Sequence, residues 1–183
     1  KQRSAELGRT VRVIGVQAEN AAAYPTSLIA GEPTEIQILP TIADGIAVSK
    51  PGTLNFEIIR DVVDEVVTVE EDDISRALLV LLERAKLVVE PAGAVSVAAI
   101  LAGKIQNSGT TVAILSGGNI DPLVMERIIS HGLAASERYL KLRIPPPDRP
   151  GQLARTAEIV ASSNANVVEV LHMSGAEDKF IAQ

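Results

Sequence analysis

The chain has 183 residues, a formal net charge of −6, no cysteine and 2% aromatic residues. That length fits one or two globular domains; the lack of cysteine excludes a disulfide framework, thiolate chemistry and a cysteine metal site, and the acidic balance with few rings argues against a nucleic-acid surface. No apolar run reaches membrane-spanning length and the first residues lack a signal-peptide pattern, so the expectation is a cytoplasmic protein with no membrane or nucleic-acid partner.

Residues 1–7 read as the last turns of a helix closed by Gly8 at the C′ position. A chain that starts inside a helix, on Lys1, is expected to be an interior stretch of a longer protein, with an earlier strand and loop upstream. Arg12-Val13-Ile14-Gly15-Val16-Gln17 follows as a strand. Residues 21–30 are alanine-rich and predict a helix interrupted by Pro25. A long polar stretch over residues 31–51 holds the turn-like Thr41-Ile42-Ala43-Asp44-Gly45, and loops of that length are usually functional or mobile. A short helix over 53–64 and a strand over 65–69 come next.

The clearest helix places Ile74, Ala77, Leu78, Leu81, Leu82 and Ala85 on one face at helical spacing. Glu70, Glu71, Asp72 and Asp73 stand at its N-terminus; four acids there could be imagined around a divalent cation, but capping and solvation at the positive end of the helix dipole suffice. Glu90-Pro91-Ala92-Gly93-Ala94-Val95 opens a helix that is apolar all round as far as Ala102, and is therefore expected to be buried. Gly93 and Ala94 would let it approach a backbone or a ring closely. Glu90 reads either as an acid capping that helix or as a ligand contact.

The run Thr111-Val112-Ala113-Ile114-Leu115-Ser116 predicts a strand covered on both faces, because its apolar residues are continuous rather than alternating. Ser116 ends it with a hydroxyl, Gly117 and Gly118 let backbone approach a ligand, and Asp121-Pro122 reads as N-cap and N1 of the next helix. Open parallel sheets bind ligands at such an edge; a tight turn without a ligand is the alternative. The helix is expected to run from Asp121 to about His131, closed by Gly132, with His131 as a last-turn cap rather than a catalytic group. Beyond a boundary near Ser136, residues 138–144 alternate as a strand and Pro145-Pro146-Pro147 breaks it. Asp148-Arg149-Pro150-Gly151 then leads into a helix with Leu153, Ala157 and Val160 inward, and residues 166–171 read as another strand. Two strands and one helix bury too little to stand alone.

Val13-Ile14-Gly15-Val16 with Glu19, then Thr41-Ile42-Ala43-Asp44-Gly45, Glu90-Pro91-Ala92-Gly93 and Ser116-Gly117-Gly118-Asn119, in this order and spacing, resemble the threonine dehydratases, with serine racemases as close relatives. Four motifs in register over about residues 10–135 are specific where each alone is weak. The resemblance implies an α/β chain: the C-terminal part of a three-layer, parallel-sheet domain of pyridoxal-phosphate fold type II over residues 1–136. An incomplete ferredoxin-like βαβ, similar to the start of an ACT domain, would follow over residues 137–183. It implies pyridoxal 5'-phosphate as cofactor, held by Ser116, Gly117, Gly118, Gly45 and Glu90. It also implies β-elimination of L-threonine, and of L-serine, to a 2-oxo acid and ammonia. An amino-acid effector at the tail and a homo-oligomer belong to the same expectation. A serine matching Ser116 contacts the pyridine nitrogen in this family, and a hydroxyl is too weak an acid to keep that nitrogen protonated, whereas a carboxylate would favour the charged ring.

Two departures bear on activity. The family's Schiff-base lysine and glycine-rich phosphate cradle are expected upstream of this chain. Lys1, Lys50, Lys86, Lys104, Lys141 and Lys179 sit in none of the matching context, so the chain alone is expected to form no 2-oxobutanoate from threonine and cofactor. In the racemase-like enzymes a divalent cation is held by a glutamate matching Glu19, a carbonyl matching Ala23 and an aspartate where this chain has Pro25. Loss of one carboxylate weakens a hard-cation site, and Glu19 is read as an ordinary salt-bridging or capping acid. A non-catalytic amino-acid-binding fragment is the contrasting class. A nucleotide-binding domain is disfavoured because no dinucleotide or P-loop fingerprint is present.

Overall fold

The computed structural model describes residues 1–106, 109–138, 140, 142–144 and 149–171. They fall in two compact units, Lys1–Leu140 and Lys141–Gln183. In the first, helix α1 (Gln2–Glu6) ends on Leu7, and Gly8, at φ +64°, returns its amide to the Ala5 carbonyl. Strand β1 (Ile14–Ala18) pairs in parallel with β2 (Glu65–Val69), in register from Ile14 opposite Glu65 to Ala18 opposite Val69.

The crossover between the strands carries a 3-10 turn (Glu19–Ala21), helix α2 (Ala23–Ala30), a second 3-10 turn (Asp44–Ile46) and helix α3 (Thr53–Val62). Pro25 does not interrupt α2 as the sequence suggests: it is the third residue of the helix, where no intrahelical acceptor exists for the amide it lacks. The long connection that follows is tied down at several points. The fully buried Ser27 hydroxyl accepts the Thr34 amide at 2.9 Å, Asn20 donates its side-chain amide to the Pro40 carbonyl at 2.7 Å, and the Glu71 carboxylate accepts the Ile42 amide at 2.8 Å.

Helix α4 (Glu71–Val80) begins with a reciprocal cap between Glu70 and Asp73. It runs into one π-helical turn (Leu81–Ala85) that ends on Lys86 in the left-handed region at φ +58°. Helix α5 (Pro91–Leu101) is buried along most of its length, as its apolar circumference requires, and shares a core with α4 and both strands through Ala94, Val95, Ala98, Ala99, Ile74, Leu78, Ala18 and Val69. Helix α6 (Pro122–Ala135) opens on Asp121, whose carboxylate accepts the Leu123 amide at 2.8 Å, and lays Ile128 into the same core.

Further expectations need correction. Gly132 does not end α6, which continues to Ala135; it is a buried crossing point, where a Cβ would come within 2.8 Å of the Ser75 carbonyl of α4. His131 is accordingly not in a last turn, and its Nε2 stands 2.7 Å from the Asp72 carboxylate across the helix pair. Residues 111–116 form no strand and are not covered on both faces. Leu115 packs on the core while Val112 and Ile114 are 81% and 76% exposed, because among the described residues no strand lies beside them to complete a ladder. Among the described residues of the second unit, helix α7 (Gln152–Ser162) is the only helix or strand. The described residues of 138–144 and all of 166–171 carry no strand where two strands are expected, and residues 145–148, where a proline break is expected, lie outside the described residues.

Candidate functional site

Glu90 is the N-cap of α5 in extended backbone, with Pro91 supplying the preset φ of the first helical position. Its amide donates to the Gly117 carbonyl at 3.3 Å, which draws the start of α5 onto the segment that follows Ser116. Gly117 adopts φ +82°, and a Cβ there would lie 2.2 Å from Glu90 Oε1; the carboxylate is packed on the glycine's own α-carbon. Gly45, in the turn Asp44–Ile46, meets the same group from the other side, since its Cβ would stand 3.1 Å from the Ala92 Cβ and 3.7 Å from Glu90 Oε1. At Gly118 a Cβ would be 3.4 Å from the Val88 carbonyl.

Three separate stretches of the sequence, at Gly45, Glu90 and Ser116-Gly117-Gly118, therefore meet at one edge. Ser116, Gly117 and Gly118 are all exposed, and among the described residues the Ser116 hydroxyl makes no hydrogen bond. An exposed, uncharged hydroxyl beside two glycines, with a carboxylate folded against one of them, offers the one polar contact that the nitrogen of an aromatic heterocycle needs.

Glu19 and Ala23 lie elsewhere. Glu19 is exposed on the 3-10 turn after β1, at the rim of a pocket of about 290 Å³ that it shares with Asn20, Glu70, Glu71 and Asp72, while Ala23 is buried at the start of α2. Among the described residues no group of three or more acids or histidines is placed to hold a metal ion. A second pocket, of about 360 Å³, opens beside Gly45 between β1, α2 and α3; it is mainly aliphatic, with Gln17, Tyr24 and Asn55 as its polar groups. Burial raises the Tyr24 hydroxyl above its ordinary pKa. Sequence reasoning missed Tyr24 and Asn55, which no motif marks. It also missed Ser96, whose signal would have been its spacing of three and six residues from Gly93 and Glu90.

The chain matches the pyridoxal-phosphate dependent enzyme family over residues 2–117 and belongs to that family. Its parallel pair of strands with covering helices agrees with the fold type II of its structural neighbours. Among individual proteins it is similar to the L-threonine ammonia-lyase of Geobacter sulfurreducens, at 48% identity over 163 residues, which is 88% of this chain and 40% of that protein. It is also similar to the crystal structure of the T.th. threonine deaminase, with a TM-score of 0.60, 38% identity, and coverage of 64% of this chain and 43% of that one. Maize serine racemase matches with a TM-score of 0.59 and 30% identity over 68% of this chain and 41% of its own. The chain spans about two fifths of the length of the curated relatives it matches. Among the described residues no helix is long and apolar enough to cross a membrane.

Proposed function

We propose that the protein carrying this chain eliminates water from L-threonine, and from L-serine, releasing ammonia and a 2-oxo acid. The observation that carries this reading is the exposed, uncharged Ser116 hydroxyl at an edge where Gly117 and Gly118 meet Glu90 and Gly45. Bound pyridoxal phosphate supplies an electron sink for the bond broken at the amino acid's α-carbon. What this chain adds is its setting. Ser116 meets the ring nitrogen with a group that neither carries a charge nor holds a proton there, so the ring is a moderate sink, and prompt loss of the β-hydroxyl is favoured over slower side reactions. Gly117 lets the Glu90 carboxylate pack against its backbone, and Glu90 with Gly45 would bound the ring on the side of α5. An amino-acid effector bound by residues 137–183 and assembly into a homo-oligomer complete the proposal. The test is direct: the holoenzyme given L-threonine is expected to release 2-oxobutanoate and ammonia in equal amounts, and a holoenzyme that binds the cofactor yet releases neither would refute it.

A further inference from the structure

Segment 111–116 has no strand beside it among the described residues, yet its end is held in one place by one face of α5. The Glu90 amide donates to the Gly117 carbonyl at 3.3 Å. Three residues on, the Gly93 backbone lies against the Ser116 carbonyl so closely that a Cβ would come within 1.7 Å of its oxygen. Three further on, the Ser96 hydroxyl donates to the Ile114 carbonyl at 2.8 Å. Residues three apart on a helix are neighbours about 5–6 Å apart, while carbonyls two apart in extended chain are separated by about 6.6 Å, so the two spacings run alongside each other. Successive carbonyls of an extended chain point to opposite sides; the left-handed turn at Gly117 is what brings both the 116 and the 117 carbonyl onto α5.

We propose that Gly93 and Ser96 are positioning residues that set the depth and facing of the Ser116 hydroxyl, α5 serving as the register-fixing neighbour of this segment. A slip by one residue would turn Ser116 to the opposite face. This inference rests on the proposed cofactor site and deepens it.

The test uses the holoenzyme, with three readouts: the dissociation constant for pyridoxal phosphate, the position of the cofactor's absorbance band, and the melting temperature. Ser96→Ala is expected to weaken cofactor retention about fivefold, the size of one neutral hydrogen bond, and to move the band in the same direction as Ser116→Ala. Ser96→Thr, which keeps the hydroxyl, is expected to restore both, and Ser96→Ala is expected to add little in a Ser116→Ala background. Gly93→Ala is expected to weaken retention about tenfold or more, since backbone must move to admit the methyl. Should that variant fail to fold, the Ser96 series decides alone. A Ser96→Ala enzyme with a lower melting temperature but an unaltered band and dissociation constant would overturn the inference, as would an effect undiminished in the Ser116→Ala background. If Ser116→Ala itself shifts the band while Ser96→Ala does not, only the positioning role falls. Failure of the unmutated protein to take up cofactor at all would overturn the functional reading and this inference with it.

Discussion

Gly117 meets two penalties if given a side chain: its φ of +82° disfavours any L residue, and the Glu90 carboxylate already occupies the space. Gly117→Ala is expected to cost roughly 2 kcal/mol or more, read from a urea unfolding midpoint, and to loosen cofactor binding in parallel. Ser116→Asp replaces the hydroxyl by a longer, charged group that favours a protonated ring. It is expected to shift the cofactor's absorbance and slow elimination by about tenfold or more, a change of about 1.4 kcal/mol in barrier; an unchanged band and rate would count against contact at the nitrogen. These residues were legible in the sequence only through the four motifs in register, since a hydroxyl and two glycines ending an apolar run serve equally well in a tight turn without a ligand. Ser96 was not, since a lone serine in an apolar helix looks like any tolerated polar residue until its carbonyl partner is placed. Asp64 gives a pH prediction. Its pKa is lowered first by the hydrogen bond from Lys1, at 2.6 Å, and then by that from the Val13 amide, at 2.7 Å. A depressed folded pKa contributes stability that is full above the unfolded value, 3.8, and is lost as pH falls through the lower folded one. On acidification from roughly pH 5 through that window, the unmutated chain should therefore lose more stability than Asp64→Asn, as followed by urea unfolding at each pH.

At the scale of elements, α4 and α6 cross with backbone in close approach. Gly132→Ala would press a methyl against the Ser75 carbonyl and is expected to cost about 1–3 kcal/mol by thermal unfolding. Ser75→Ala should behave in the opposite way. Its hydroxyl is buried without a hydrogen-bond partner among the described residues, so removing it is expected to be neutral or to stabilise by up to about 1 kcal/mol. The pair is further tied by His131 to Asp72 and by Arg138 to the Glu83 carboxylate, both exposed contacts of small energetic worth. The sequence pattern placed α4, α5 and the parallel strands correctly, because helical and strand periodicities there are strong and end on capping residues. It misread Gly132, since a glycine near the end of an apolar pattern carries the same signal whether it terminates a helix or admits a neighbour. It misread residues 111–116 too: a continuous apolar run states that a strand could be covered on both faces, but not that a covering layer is in place.

At the scale of the whole molecule, the first unit buries α5 thoroughly but pairs only two strands among the described residues, leaving Val112 and Ile114 bare. A bare apolar run of extended chain invites a covering strand or self-association. Replacing both residues by lysine is expected to raise the monomer fraction of this chain in light-scattering chromatography while changing its stability by no more than about 0.5 kcal/mol, as usual for exposed positions. Membership of the pyridoxal-phosphate dependent enzyme family and the open edge at Ser116 together favour chemistry at α5 and the segment running into α6. The most direct measurement is a crystal structure of the holoenzyme. The cofactor's ring nitrogen is expected at hydrogen-bond distance from Ser116 Oγ, about 2.7–3.2 Å, with the ring over Gly117. A ring seated elsewhere, or a nitrogen met by a carboxylate instead of Ser116, would contradict the assignment.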